Sequence, residues 1–350
     1  MNAEMEAKVF VSIVTYNSAA YIQQCLQALL TQSGFVSNNN LLVEIIDNTS
    51  ADNTSEAVSK AFSGQVTLKQ NSINFGFCAA NNQAAADFLR SDADYLLLLN
   101  PDLRLEPHAL KNLISAINSD PRYGSACPRL LRADDALEPV QPLRLDAAGM
   151  HLTQSLRHFD RGSEETAENN FTTNEEVFGG SGACLLMKRE FVQAMLLSGT
   201  KEADLQKVYP EIPPAGSERA ALFDEAFFAY REDADLAWRG QLLGWKCIYA
   251  ANATGYHRRT VLPELRSSLA PFLNLCSVRN RFLLQLNNYS VFRFPAAFLP
   301  GVILRNLIVL AAVLLLERSS LPALRQVIAL LPRALERRRI LKERIHALHR

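Results

Sequence analysis

An α/β fold with a mostly parallel central sheet is predicted by three features of this 350-residue sequence. Strand-like segments at 8–16 (KVFVSIVTY), 41–46 (LLVEII) and 66–69 alternate with segments of helical spacing, the pattern of parallel strands joined by right-handed crossovers. An unbroken apolar run at 95–99 lies between Asp94 and Asn100-Pro101-Asp102, as expected of a strand buried on both faces. Three predicted strands end on polar groups, at Tyr16-Asn17, Asp47-Asn48 and Asn100 to Asp102. In a parallel sheet those ends share one edge, where open α/β sheets bind ligands.

The elements follow in order. Asn17-Ser18 ends the first strand, and Ser18 is placed to cap a helix whose apolar face carries Ile22, Cys25, Leu26, Leu29 and Leu30. The second strand runs into Asp47-Asn48 and a turn cluster at 49–53, then a helix through Val58 and Phe62. The segment 74–82 (NFGFCAANN) starts a helix on small residues, with Gly76 allowing close approach of a ligand to the backbone. Periodicity alone leaves a buried helix turn open for 95–99, but Pro101 disfavours helical geometry at Asn100 and cannot donate to a ladder. Asp102 is then either a carboxylate at the edge of a central strand or part of an Asx turn.

A helix is expected at 107–117, and loops with short strands at 134–174. The glycine cluster at 178–183 precedes an apolar strand and reads as backbone lining a cleft or as a plain turn. Residues 198–217, with three prolines, read as a surface insertion. At 223–239 five acids are interleaved with aromatic residues (FDEAFFAYREDADLAWR). Leu236, Trp238 and Leu242 would pack a helix there and leave Glu232-Asp233 at its N-terminus beside the cleft, where a carboxylate serves as a general base. His257 follows, either a structural histidine or a ligand for a divalent metal.

Composition bounds the function. A net charge of zero excludes a general nucleic-acid binder. None of the six cysteines forms a CxxC pair, which fits a reducing compartment. Glu4 and Glu6 precede the first strand, which argues against a secretion signal. Both the GxGxxG fingerprint and the Walker lysine motif are absent, so a phosphorylated ligand would be held by an acid and a bridging cation.

Taken together, the stretches VSIVTYN (11–17), IIDNTSADNT (45–54), NFGFCAANN (74–82), LLLNPD (97–102), GGSGACLLMKRE (179–190) and FDEAFFAYREDADLAWR (223–239), with the His257 segment, resemble the family 2 glycosyltransferases of the GT-A fold, and among them the rhamnosyltransferase-like group. The resemblance covers 9–281. It implies a nucleotide-sugar donor, a divalent cation (Mg2+ or Mn2+) and inversion at the sugar carbon by direct displacement. It assigns Asp233 as catalytic base, Asp102 as the metal-binding aspartate of the DxD motif and His257 as a completing metal ligand. Asn100 replaces the first acid of that motif, which puts a two-carboxylate site in doubt. Thr15, Asp47 and Asn48 match nucleotide-contacting positions. Asn17, Asn74, Gly76, Asn82, Asn100 and Gly180 complete the expected donor-binding set.

A catalytic domain is expected over 1–265 and a C-terminal helical, membrane-associating region over 266–350. Residues 296–316 are long enough to span a bilayer, but Pro300-Gly301 interrupts them and Arg305 sits near the middle. The tail from Arg333 carries seven Lys/Arg against two Glu, interleaved with apolar residues. It reads as a basic amphipathic helix on an anionic membrane surface or as a solvated helix with ion pairs. The whole reading is an inverting transferase moving L-rhamnose from dTDP-rhamnose to a polysaccharide or polyprenyl-linked glycan, peripheral on the cytoplasmic face of the cell membrane. A galactofuranose or hexose transferase using a UDP or GDP donor, a nucleotidyltransferase and a non-catalytic sugar-binding protein are the alternatives.

Overall fold

Strand β1 (Val9–Thr15) lies between β2 (Leu41–Asp47) and β4 (Tyr95–Leu99), parallel to both, and β3 (Thr67–Gln70) extends the parallel set beyond β2. The computed structural model describes residues 7–196, 220–259 and 271–348. Helices α1 (Ile22–Leu30), α2 (Thr54–Ala61) and α3 (Gly76–Arg90) make the crossovers. Beyond β4 the sheet continues through β11 (Cys184–Lys188), which is antiparallel to it, then β6 (Tyr123–Arg132), and then β12 (Lys246–His257), parallel to β6. Short strands β5 (Leu103–Leu105), β7 (Leu145–Ala147) and β10 (Glu175–Val177) pair antiparallel at this side. A separate hairpin, β8 (Met150–Leu152) with β9 (His158–Asp160), fills the segment 134–174.

The unbroken apolar strands follow from burial on both faces. Val9, Val11 and Ile13 of β1 pack with Tyr95, Leu97 and Leu99 of β4 against α1 and helix α4 (Ala109–Ile117). Phe10, Leu96 and Leu98 face the other way, against Ala84, Ala85 and Phe88 of α3. Ser12 sits on this second face because its hydroxyl donates to Asn81 at 2.7 Å. Ser18 does not cap α1 as expected: its hydroxyl accepts from the backbone of Tyr16, and α1 starts at Ile22. The segment 198–217 lies outside the described residues, apart from which helix α5 (Arg189–Met195) follows β11 directly.

The acidic segment folds as a turn at 225–227 followed by helix α6 (Glu232–Leu242). Helices α7 (Pro271–Asn288), α8 (Arg305–Leu315) and α9 (Leu321–Leu348) form the C-terminal region, with a π-helical turn, Phe298–Leu304, at Pro300-Gly301. Here the expected membrane-facing tail is corrected in part. Arg337 of α9 is buried and donates two hydrogen bonds to Asp235 of α6, at 3.0 and 2.8 Å. Arg333 pairs with Asp224 at 3.1 Å, and Arg344 donates to the carbonyls of Ala194 and Leu196. These tail arginines hold the helix to the catalytic body. Outward-facing apolar residues lie instead mainly along 298–316, where Leu299, Leu307, Ile308 and Leu316 are exposed.

Candidate active site

The carboxyl ends of β1, β2, β4, β6 and β12 meet at one edge of the sheet, and the predicted residues gather there. Asp47, at the end of β2, accepts hydrogen bonds from the Thr15 hydroxyl (2.7 Å) and the Ser50 amide (2.9 Å). Asn17 is exposed and holds the same turn, its side-chain oxygen accepting from the Ala51 amide. Asn48 is buried, its amide donating to the Gly76 carbonyl while its oxygen accepts from Asn71. The Asn74 oxygen accepts from the Gly76 amide. These contacts fix the loops at this edge of the sheet.

Three predicted positions prove to be packing positions. A Cβ on Gly76 would lie 2.6 Å from the Phe228 ring, and its φ is +84°, so the close approach is to the acidic segment rather than to a ligand. At Gly180 a Cβ would lie 2.5 Å from Cys127 Cβ. Asn82 is fully buried and grips the backbone of Phe223 from both ends, donating to its carbonyl and accepting from its amide, while also donating to Glu225.

Asp102 and His257 come together across β5. His257 Nε2 is 3.4 Å from Asp102 Oδ1, and Nδ1 is 2.7 Å from Asp146 Oδ2. Burial alone would lower the pKa of the imidazole. Asp146 and Asp102 outweigh it and hold the group up to about 10. Asp146 was not foreseen: it sits in the aperiodic 134–174 segment and is reached only through the β6–β7 pairing. Burial pushes its pKa up, but His257, Arg259 and Arg132 bring it down to about 2. A carboxylate on Nδ1 that aims Nε2 outward is the arrangement that orients a metal-ligating histidine. The half-buried Asp102 faces that nitrogen, so a divalent cation would take these two ligands by displacing the Nε2 proton; no group of three or more such side chains is gathered for a metal among the described residues. Asn100 is half-buried beside them, its amide donating to the Ala183 carbonyl at 2.8 Å.

One hydrogen bond ties this corner to Asp233, and a run of charges leads toward it. The Gly182 amide, one residue from the Asn100 partner, donates to Asp233 Oδ2 at 3.2 Å. Arg259 pairs with Asp146 at 3.5 Å and with Asp160 at 2.7 Å, and Asp160 feels the charge of Asp233. Asp102 and Asp233, 131 positions apart in sequence, are thus linked through Asn100, Ala183 and Gly182.

Asp233 and its neighbours are differentiated by environment. The segment entering α6 is left-handed at Phe228, Tyr230 and Arg231 (φ 63°, 71° and 73°), a costly run that needs outside support. Asn280 of α7 supplies it by donating to the carbonyls of Phe227, Ala229 and Tyr230, and Arg279 adds a bond to Phe227. The half-buried Asp233 carboxylate accepts from Gly182 and Ala234 amides, while Glu232 and Asp235 turn inward. Burial, then the charges of Asp233 and Asp235, push Glu232 up to about 8, and its Oε2 has no partner. Burial raises Asp233 as well, but the Gly182 and Ala234 amides and the charge of Arg231 oppose it, so of the two neighbouring carboxyls it is Asp233 whose ionised form is supported.

Because the pKa of Glu232 is raised on folding, its contribution to stability is complete below the ordinary glutamate value and is lost as pH rises through about 8. Glu232→Gln mimics the protonated form. Its stability advantage over the native protein is expected to widen by at least about 1 kcal/mol between about pH 5 and about pH 8. Urea unfolding at the two pH values measures it, and a constant gap would show Glu232 ionised in the folded state.

A family model described as glycosyl transferase family 2 matches residues 10–196, more than half of the chain. The chain belongs to glycosyl transferase family 2. Glycosyltransferase activity follows from that membership. Among curated proteins the chain is 25% identical over 259 residues to the N-acetylglucosaminyl-diphospho-decaprenol L-rhamnosyltransferase of Mycobacterium tuberculosis, covering 70% of this chain and 74% of that one. Solved structures share the GT-A fold. They include GalNAc-T7 with UDP, GalNAc and Mn2+, at TM-score 0.57 and 12% identity over 83% of this chain and 49% of that one. The S. aureus TarS 1-349 complex with UDP-GlcNAc gives TM-score 0.53 and 14% identity over 97% and 83%.

Proposed function

We propose that this family 2 glycosyltransferase is an inverting rhamnosyltransferase acting on a polyprenyl-diphosphate-linked sugar, with dTDP-rhamnose as donor. The observation that carries the reading is the run of contacts that links the Asp102–His257 pair to the Asp233 carboxylate through Gly182 and its neighbour Ala183. The similarity to the mycobacterial enzyme supports the choice of rhamnose and of a lipid-linked acceptor.

In this reading Thr15, Asn17, Asp47 and Asn48 form the nucleotide wall, and Asn100 borders the sugar. Asp102 and His257 hold the divalent cation, Mg2+ or Mn2+, as ligands. When bound, the cation supplies neutralisation of the charge that develops on the departing diphosphate. Asp233 accepts the proton of the acceptor hydroxyl as that oxygen bonds to the anomeric carbon. The bond from that carbon to the diphosphate oxygen breaks on the opposite face, so configuration inverts. The exposed apolar stretch at 298–316 rests on the membrane's cytoplasmic face. It lies on the surface rather than crossing, because Asn306 is hydrogen-bonded to Arg281 and Gln285 of the globular body.

The test is thermal unfolding of the protein with a panel of nucleotide sugars, with and without Mn2+. Metal-dependent stabilisation is expected to be strongest with dTDP-rhamnose. Stronger stabilisation by a UDP or GDP hexose would reassign the donor, and none by any nucleotide sugar would remove the donor site.

A further inference from the structure

Three arginines come together near α6 without acidic partners among the described residues. Arg281 of α7 is 5% exposed, yet among the described residues its Nη2 has no hydrogen-bond partner; its Nε donates to Asn306 at 3.2 Å. Arg305, adjacent to Asn306 at the start of α8, has a buried Nε that is also unpartnered. Arg157 is exposed at the tip of the β8–β9 hairpin. The hairpin tip reaches the others because Gly301 packs on it: a Cβ there would lie 2.6 Å from Leu156 Cγ and 2.9 Å from the Gln154 carbonyl.

No carboxylate among the described residues is within ion-pair distance of Arg157, Arg281 or Arg305. Burial, followed by repulsion from Arg305 and Arg157, brings Arg281 down to about 10. Next to Arg157, His158 is lowered to about 3, first by burial and then by Arg231, Arg281 and Arg157, so it adds no competing charge. Three guanidinium groups held together, two with buried unsatisfied N–H groups, form a costly arrangement that a multivalent oxyanion relieves through forked hydrogen bonds.

We propose that Arg157, Arg281 and Arg305 bind the diphosphate of a lipid-linked acceptor. The assignment rests on the transferase reading above and adds the residues that recognise the acceptor. Two features choose a lipid-borne diphosphate over a free one. Arg305 lies within the one described helical stretch long and apolar enough for a membrane, Pro295–Leu315, where Leu304, Leu307 and Ile308 are exposed alongside it. The site also abuts the base: His158 Nδ1 is 3.1 Å from Arg231 Nη1, two residues before Asp233, and Arg281 follows the Asn280 that holds the loop leading to α6. A sugar joined to a diphosphate seated there would present a hydroxyl toward Asp233, while the lipid chain runs along α8.

The test is flotation of the full chain with phosphatidylcholine vesicles carrying undecaprenyl diphosphate, against vesicles carrying phosphatidylglycerol at equal surface charge. The native protein is expected to bind the diphosphate vesicles at about tenfold lower lipid concentration, and the double variant Arg157→Gln/Arg305→Gln to lose that preference. Arg281→Lys keeps the charge without the fork and should fall between. Equal binding to both vesicle types would assign the cluster to ordinary headgroups and overturn the proposal, as would a preference unchanged in the double variant. Donor recognition is read separately from nucleotide-sugar stabilisation. Binding of the lipid diphosphate without any nucleotide-sugar effect would overturn the transferase reading and leave this site standing.

Discussion

Asp233→Asn is expected to lower turnover by roughly 10²–10⁴-fold while leaving donor affinity within about twofold. The asparagine keeps the size of the side chain and one oxygen to accept from the Ala234 or Gly182 amides that hold the carboxylate now. It cannot take the acceptor proton. Glu232 cannot substitute, because its carboxyl is turned into the protein and burial holds it protonated to about pH 8. Single-turnover rates with saturating donor, alongside nucleotide-sugar stabilisation of the variant, separate loss of the base from loss of fold. Near-native turnover would remove Asp233 as the base and turn attention to Asp160, a carboxylate within its electrostatic reach.

The parallel half of the sheet was legible in the sequence because its signals are local. Strands β1, β2 and β4 are apolar runs stopped by polar groups, and α1 carries its own apolar face. Asp47, Asp102 and His257 were legible for the same reason, as polar residues at strand ends. Asp146 was not, since it belongs to a three-residue strand without periodicity and gains its place only by pairing with β6. For Asn280, nothing local says that it grips a left-handed loop 50 residues upstream. At Gly76, Gly180 and Asn82 the small size and the amide also serve packing that no local signal reveals, against Phe228, Cys127 and Phe223. The basic tail shows the same limit. Helical spacing reveals two faces, whereas the identity of the surface each meets depends on contacts more than 100 residues away.

That long-range contact carries the second large effect. Arg337→Leu is expected to destabilise the protein by about 3–5 kcal/mol, because it strands buried acids rather than merely deleting a bond. Arg337 is 1% exposed and donates to both oxygens of Asp235, while its Nε lies 3.6 Å from Asp224. Asp235 is also held by Arg239 and Asn288, but burial would raise its pKa, and Arg337 leads the groups that bring it far below the usual carboxylate range. A depressed carboxyl stabilises the fold above its ordinary value, and that stabilisation is lost as pH falls toward the folded value. The variant should therefore lose most near neutrality, and its acid-side stability slope should flatten. Pairing it with Asp235→Asn removes the stranded charge, so the double variant should be less destabilised than the two single effects added together. Guanidinium unfolding across the cycle measures the coupling, and strict additivity would show that the two side chains act independently. Since Asp235 lies two residues after Asp233 on the first turn of α6, a loosened grip should also lower turnover in the folded fraction. The C-terminal helix would then be part of what aims the base, and its attachment through Arg337 would be as necessary to the reaction as the cleft it braces.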